Sequence, residues 1–144
     1  MTFIIQLFYY LFFFIRLSFN NKPVEKRKIN YPISIVIAAR NEEQNLAKFL
    51  PEFLNQDYPN FEVILVDDGS SDNTLNVLDT LKQKHSNLVV TYTNRIDLIK
   101  RGKKMALTMG LKAAKYDYVL LTDADCKPSS KNWIKEMVQA KNLL

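Results

Sequence analysis

The chain contains 144 residues, which is enough for one modest domain. Its hydrophobic content of 47% and charged content of 24% exclude a chain that is mostly disordered, and its single cysteine excludes an internal disulfide. The net charge of +5 suits an anionic partner, such as a phosphate-bearing substrate or acidic lipid headgroups.

Residues 1–20 contain the first predicted element, an apolar and aromatic segment interrupted by Gln6 and Arg16. A helix needs roughly 20 residues to span a bilayer, with a lower limit of about 17. We therefore predict an N-terminal hydrophobic helix that anchors the chain in a membrane, either spanning it or lying in its interface. A cleaved signal peptide is disfavoured, because no basic stretch precedes the segment and no small-residue cleavage site follows it. A buried helix of the soluble domain is a further alternative, although apolar residues surround the helix on all sides.

Residues 21–31 form a predicted basic juxtamembrane linker. The positive-inside rule then places the domain that follows on the cytoplasmic side of the membrane. No aromatic side chains that could stack on bases are interleaved with the cationic residues, which argues against a nucleic-acid partner. The cationic residues are Lys22, Lys26, Arg27 and Lys28.

From Pro32 onward, strands and helices are predicted to alternate. Runs of β-branched apolar residues predict the strands, and apolar residues at helical spacing predict the helices. This alternation indicates an α/β fold with a mostly parallel, Rossmann-like sheet flanked by helices. The predicted strands cover residues 33–39, 61–67, 88–93 and 118–122, and the predicted helices cover residues 42–55, 73–84, 103–114 and 131–142.

Two of the predicted helices carry informative residues. Pro51 lies inside the first helix and predicts a kink or an early end. The third helix has apolar residues at helical spacing, so we expect one of its faces to pack on the sheet. The residues expected on that face are Ala106, Leu107, Gly110, Leu111 and Ala114.

Charged residues follow the predicted strands at their carboxyl ends, where parallel sheets bind their ligands. They are Arg40 and Glu42 after the first strand, Asp67 and Asp68 after the second, Lys103 at the start of the third helix, and Asp123 and Asp125 after the fourth strand.

Asp123 and Asp125 are two residues apart, so both carboxylates point the same way if the chain is extended there. Like charges this close disfavour each other's ionisation unless a cation lies between them. Mg²⁺ is typically held by one or two carboxylates together with substrate phosphates. The pair therefore suggests a divalent-cation site, with a solvated turn bearing two helix-capping acids as the alternative.

Each of the other charged residues fits two interpretations. Only one of Asp67 and Asp68 is expected to face the crevice, where it could accept hydrogen bonds from a nucleotide or belong to an ordinary polar turn. Lys103 could hold a diphosphate at a helix N-terminus or be a solvated basic residue. Glu42 could contact a nucleotide or be a favourable acid in the first helical turn. In the turn over residues 69–72, a serine or an aspartate could cap the next helix.

Three stretches occur in an order and at spacings that resemble the family 2 glycosyltransferases: ISIVIAARNEEQNL, VILVDDGSSDNT and GKKMALTMGLKAAKYDYVLLTDAD. The similarity runs from about Ile33 to Trp133. It implies the GT-A fold, whose Rossmann-like sheet binds a nucleotide-sugar donor, and it implies transfer of the sugar to an acceptor, usually with inversion. Many members are membrane-anchored and build surface polysaccharides or glycolipids, which fits the predicted anchor.

The resemblance also implies roles for individual residues at the first two strand ends. Ala38, through its backbone, would line the nucleotide pocket together with Arg40 and Glu42. Asp68 would contact the base, which is often uracil, so a UDP-sugar is the favoured donor.

The same resemblance assigns the third helix and the fourth strand. Lys103 would lie near the diphosphate, although Thr108 replaces the asparagine usual in that motif. Asp123 and Asp125 would form the D-x-D motif that binds Mg²⁺ or Mn²⁺, with Asp125 favoured as the direct metal ligand. Asp123 would also contact the substrate.

Family members normally continue well past the position of Leu144. We therefore expect residues 32–144 to be the nucleotide-sugar-binding portion of a domain that is incomplete at its C-terminus. The acceptor, an unknown glycan or lipid-linked molecule, and the catalytic base would belong to the part beyond Leu144, so the catalytic residue is left unknown. The alternative is a truncated, non-catalytic nucleotide-sugar-binding fragment or partner subunit.

Two other classes of phosphate enzyme fit less well. Nucleotidyltransferases usually carry a glycine-rich basic loop after the first strand, and residues 40–43 contain no glycine. Phosphatases of the haloacid dehalogenase type place D-x-D at their first strand and follow it with threonine. Here the pair follows the fourth predicted strand, and Lys127 stands in place of that threonine.

Overall fold

A computed structural model describes residues 31–93 and 102–141, and also residues 6, 7, 9, 10 and 12. Strands and helices alternate along the chain, which confirms the predicted α/β class. The elements are β1 (Ile33–Ala39), α1 (Glu43–Leu54), β2 (Phe61–Asp67), α2 (Thr74–Lys84), β3 (Leu88–Tyr92), α3 (Lys103–Ala113), β4 (Tyr118–Asp123) and α4 (Trp133–Lys141).

The four strands form one sheet in the order β3-β2-β1-β4, and every pairing in it is parallel. The register aligns Ala38 with Val66 on one side and with Asp123 on the other. The carboxyl ends of β1, β2 and β4 therefore meet at one edge of the sheet. This is the edge at which open α/β sheets bind ligands.

The sheet buries apolar side chains on both faces, because successive residues of a strand point to opposite sides. On one face, Ile35 and Ile37 pack with residues of α1, α2 and α4. On the other face, Val36 and Ile64 pack with α3. β1 and β2 are thus buried on both sides, as their largely apolar sequences predict.

α3 lies unusually close to the sheet. A Cβ atom added at Gly110 would lie 2.3 Å from Cγ1 of Val36 and 3.1 Å from Cγ2 of Val66. Ala106 is fully buried on the same helical face. The expectation that Leu111 also faces inward is wrong, since its side chain is 47% exposed. Leu111 is turned by about 100° from Gly110, away from the strands that α3 contacts.

Pro51 lies inside α1, which continues to Leu54. The predicted early end at this proline is therefore wrong. Pro51 offers no N–H to the preceding turn, but its own carbonyl accepts a hydrogen bond from the backbone N–H of Asn55 at 3.1 Å. The last turn of α1 is thus closed in spite of the proline.

Most of the predicted membrane anchor and of the basic linker lies outside the described residues. Leu7, Tyr9, Tyr10 and Phe12 are helical and more than half exposed. Within the described part of the chain, no helix combines the length and the apolar character that crossing a bilayer requires. The anchor over residues 1–20 and the linker over residues 21–31 stay predictions.

Candidate functional site

A cavity of about 370 Å³ opens at the carboxyl edge of the sheet. Its volume falls within the range of small-molecule sites, which is about 300 to 1,000 Å³. The structure brings all seven residues predicted from the sequence into its lining: Ala38, Arg40, Glu42, Asp68, Lys103, Asp123 and Asp125. Residues up to 87 positions apart in the chain, as Ala38 and Asp125 are, therefore share one site.

The cavity rim has two parts, which we name for the strands that carry them. The β1–β2 rim consists of residues 38–42, residues 67–74 and Thr93. The β4 rim consists of Lys103, Asp123 and Asp125. The two parts differ in burial and in the number of hydrogen bonds that hold them.

Asn41 ties the two loops of the β1–β2 rim together. Its φ of 56° lies in the left-handed region, which asparagine tolerates better than most residues. Its backbone N–H donates to Oγ of Ser70 at 2.9 Å, and its Oδ1 accepts from the backbone N–H of Ser71 at 2.8 Å. Arg40 and Glu42, the neighbours of Asn41, are thereby directed to the cavity.

Asp72 joins the first turns of α1 and α2. One of its carboxylate oxygens accepts from the backbone N–H of Thr74 at 3.1 Å, and the other accepts from that of Glu43 at 3.3 Å. Hydrogen bonding by Thr74, chiefly by its side chain, lowers the pKa of Asp72 below its ordinary value. The N-cap residue of α2 is Asn73, and its side chain makes no capping hydrogen bond. The predicted capping of α2 by a serine or an aspartate at the N-cap is therefore wrong, although Asp72, one residue earlier, accepts from the first N–H of the helix.

Glu42 lines the cavity while its backbone N–H donates to Oγ1 of Thr74 at 3.1 Å. One oxygen of its carboxylate accepts a hydrogen bond from Nδ2 of Asn45 at 2.6 Å. This side chain thus has a structural partner as well as access to the cavity.

Asp67 and Asp68 are both buried, but they face different surroundings. Asp67 turns away from the cavity and accepts hydrogen bonds from the backbone N–H and the hydroxyl of Ser70. Asp68 lines the cavity, and its Oδ1 accepts from Oγ1 of Thr93 at 2.9 Å. The prediction that only one of the pair faces the crevice is therefore confirmed.

Among the described residues, one ion pair links side chains of the β4 rim to each other. Nζ of Lys103 lies 2.7 Å from Oδ1 of Asp123, and both side chains are about half exposed, at 62% and 49%. The hydrogen bond to Asp123 raises the pKa of Lys103 above its ordinary value, while desolvation opposes the shift. Asp125 lines the same cavity and is exposed. The ammonium group of Lys103 thus lies directly beside the carboxylate of Asp123.

The two carboxylates of the β4 rim fit a hard divalent cation. Carboxylate oxygens are the ligands that Mg²⁺ and Mn²⁺ prefer. In the described ranges, no group of three or more His, Cys, Asp or Glu side chains could hold a metal. Asp123 and Asp125 would therefore supply one or two ligands, and water and a bound phosphate would supply the rest, as is usual for Mg²⁺.

Sequence reasoning missed the residues that hold the rim rather than line it. Asn41, Ser70 and Thr93 act on partners that are between 25 and 30 positions away in the chain. The asparagine two residues after a buried strand was a usable signal, because asparagine adopts positive φ more readily than most residues. Nothing in the sequence around Thr93 connects it to Asp68.

The sequence matches the model of the family described as Glycosyl transferase family 2 over residues 34–142. The poly-beta-1,6-N-acetyl-D-glucosamine synthase of Staphylococcus epidermidis (strain RP62A) is 35% identical over 119 residues, which are 81% of this chain and 27% of that protein. The synthase of the same name from Staphylococcus aureus (strain COL) is 34% identical over 120 residues, which are 83% of this chain and 28% of that protein.

Solved structures of similar fold include two with bound donors. S. aureus TarS 1–349 in complex with UDP-GlcNAc has a TM-score of 0.63 and 29% identity, over 74% of this chain and 30% of that chain. The mannosyltransferase PcManGT from Pyrobaculum calidifontis, in complex with GDP-Man and Mn²⁺, has a TM-score of 0.71 and 25% identity, over 90% of this chain and 38% of that chain.

The chain spans 27–28% of the length of these curated relatives. The family match nevertheless covers more than half of the chain and includes every residue of the cavity lining. On these grounds the chain belongs to glycosyl transferase family 2.

Proposed function

We propose that this chain provides the donor site of a glycosyltransferase that uses a UDP-sugar and a divalent cation to build a cell-surface polysaccharide or glycolipid. The observation that carries the proposal is the convergence of seven predicted residues on one cavity. The names of the curated relatives, poly-beta-1,6-N-acetyl-D-glucosamine synthases, support an N-acetylglucosamine donor and a polysaccharide product.

The two parts of the rim would divide the donor between them. The buried carboxylate of Asp68 would accept a hydrogen bond from the base, and Arg40 and Glu42 would flank the nucleoside. α3 begins at Lys103, so its first N–H groups and the helix dipole favour an anion there. The diphosphate would therefore lie between α3 and the β4 rim.

Asp123 and Asp125 would hold Mg²⁺ or Mn²⁺ beside that diphosphate. A bound cation supplies charge neutralisation for the departing nucleoside diphosphate. Lys103 would exchange Asp123 for a phosphate oxygen as its hydrogen-bond partner and so add a second positive charge to the leaving group. We take the transfer to be inverting, with the acceptor hydroxyl attacking from the face opposite the diphosphate. The base that removes its proton is not assigned to a residue of this chain.

We also propose that the chain is membrane-associated through residues 1–20, with the donor site on the cytoplasmic side. The support is the helical, exposed and apolar character of Leu7, Tyr9, Tyr10 and Phe12. The full chain should float with lipid vesicles in a density gradient, and a variant lacking residues 1–20 should stay at the bottom. Equal distribution of the two would contradict the anchor.

The central test is calorimetric titration of UDP into the full chain in detergent, with and without Mn²⁺. We expect binding that strengthens with Mn²⁺, and we expect Asp125→Ala to remove the strengthening. The matched control is Asp117→Ala, which changes an exposed aspartate just before the opposite end of β4. Absence of nucleotide binding by the folded wild type would overturn the proposal.

Transfer is tested separately by following UDP release from UDP-N-acetylglucosamine. Release that depends on an added acceptor would support the enzyme. Metal-dependent binding without release would instead support the alternative, a non-catalytic subunit that binds the donor.

A further inference from the structure

Asp68 is the buried carboxylate whose hydrogen bonding is least complete. Its side chain lines the cavity although the residue is only 5% exposed. Oδ1 accepts the hydrogen bond from Thr93. No donor from residues 31–93 or 102–141 lies within hydrogen-bond distance of Oδ2. A buried charged oxygen without a partner is costly, so this oxygen is suited to accept a hydrogen from a ligand.

Thr93 is placed rigidly enough to fix the orientation of that carboxylate. It is 8% exposed, and its backbone N–H donates to the carbonyl of Asp67 at 3.0 Å. The backbone N–H of Asp68 donates to the carbonyl of Ala39 at 2.9 Å. Both backbones are therefore anchored to the sheet, and threonine, being β-branched, has few rotamers available. With Oδ1 held, Oδ2 is the oxygen left to face the cavity.

We infer that Thr93 is a positioning residue that makes Asp68 selective for the base of the donor. The inference rests on the proposed function, because it assumes that the base reaches Asp68. One free oxygen suits the imide N3–H of uracil or thymine, which is a single donor flanked by two carbonyl groups. Guanine instead presents N1–H and N2–H side by side, a pair that fits both oxygens of a free carboxylate. The ring nitrogen of cytosine carries no hydrogen at this position.

The experiment is a binding cycle on the full chain with Mn²⁺ present. UDP and N3-methyl-UDP, which lacks the N3–H, are titrated into the wild type, Thr93→Val and Thr93→Ser. Valine keeps the shape of threonine but removes the hydroxyl, whereas serine restores the hydroxyl. GDP is titrated into the same three proteins.

We expect the wild type to bind UDP at least about tenfold more tightly than N3-methyl-UDP, since a hydrogen bond to a charged group is lost. Thr93→Val should weaken the binding of UDP about tenfold and that of N3-methyl-UDP much less. The preference of the protein for UDP over N3-methyl-UDP should therefore decrease. Thr93→Val should also reduce the difference in affinity between UDP and GDP. Thr93→Ser should recover most of the wild-type preference, and a purely structural role would not show this pattern.

The outcomes separate the two proposals. If the folded wild type binds no nucleotide, the proposed function fails and this inference fails with it. If the wild type binds UDP, but N3-methylation has no effect or Thr93→Val weakens all ligands equally, the positioning role is overturned while the donor site stands. If Thr93→Val does not fold, the test rests on Thr93→Ser. A preference of Thr93→Ser for UDP over N3-methyl-UDP equal to that of the wild type supports the inference, and loss of that preference overturns it.

Discussion

The β1–β2 rim and the β4 rim border the same cavity, but they differ in burial and hydrogen bonding. The β1–β2 rim is already ordered without a ligand, whereas the β4 rim is held less firmly. In the β1–β2 rim, Asp67 and Asp68 are buried, and hydrogen bonds link its two loops through Asn41 and Asp72. In the β4 rim, Asp123 is half exposed and has one ion pair, with Lys103.

The difference indicates what each part contributes to affinity. A rim that is already ordered loses little conformational entropy on binding, so its contacts favour a ligand of the right shape. A rim held by one solvated ion pair can rearrange at small cost, since such pairs contribute about 0 to 1 kcal/mol. We therefore expect the β1–β2 rim to decide which nucleotide binds, and the β4 rim to respond to metal and phosphate.

Asp68→Asn should have the largest effect and tests the β1–β2 rim. The amide keeps the size of the carboxylate, and Thr93 can still donate to its oxygen, but an NH₂ group then faces the N–H of the base. We expect the variant to bind UDP about a hundredfold more weakly than the wild type, and we expect this factor to be the same with and without Mn²⁺. Calorimetry measures this, with Asp117→Asn as the control. A loss that appears only with metal would remove the distinction between the two rims.

Ser70→Ala should have the second largest effect, and it acts on stability. It removes the hydroxyl that donates to buried Asp67 and accepts from the N–H of Asn41. We expect the free energy of unfolding to fall by about 1 to 3 kcal/mol, because buried polar groups lose their partners. Urea unfolding measures it. Ser129→Ala, at an exposed serine, should change it by less than about 0.5 kcal/mol. Equal effects would mean that the β1–β2 rim is not held as the structure indicates.

Lys103→Met tests the β4 rim and should have a smaller effect. Without the ammonium, Asp123 loses the one cation that pairs with it among the described residues, so Mn²⁺ alone should bind about two- to fivefold more tightly. UDP binding in the presence of Mn²⁺ should weaken, because the phosphate loses a positive charge. Lys104→Met, at the next exposed residue, is the matched control. Weaker binding of Mn²⁺ alone would show that Lys103 does not compete for Asp123.

Asp72→Asn should have the smallest effect, and it should depend on pH. Because the folded state lowers the pKa of Asp72, this carboxylate stabilises the fold above its unfolded pKa. That contribution is lost as the pH falls through the lowered folded pKa. The urea midpoints of wild type and variant should therefore differ at neutral pH and converge in acid. A difference that persists in strong acid would show that the charge of Asp72 does not matter.

The sequence predicts the elements well and the contacts between their ends poorly. The short, β-branched and largely apolar runs of β1 and β2 indicate strands buried on both faces, and the polar residues that follow each run mark where the strand ends. Six of the seven cavity residues were found for a related reason, since parallel strands gather their carboxyl ends at one edge, and Ala38 was found through the resemblance to the family. The burial of Leu111 was misjudged, because helical spacing does not say which strands a helix covers. The contact of Thr93 with Asp68 depends on the β2–β3 register, which no local pattern specifies.

The close packing of α3 on the sheet at Gly110 has a consequence for how fast Lys103 can respond to a ligand. A side chain at Gly110 would collide with Val36, so α3 packs close against the sheet, and Lys103 begins that same helix. Under the proposed function, we expect Lys103 to change its partner from Asp123 to a phosphate by rotation of its side chain, without a shift of the helix. Rotations of exposed side chains take picoseconds to nanoseconds, whereas shifts of helices take microseconds or longer. We therefore expect Lys103 to respond to a donor on the timescale of side-chain rotation, which is faster than that of a helix shift.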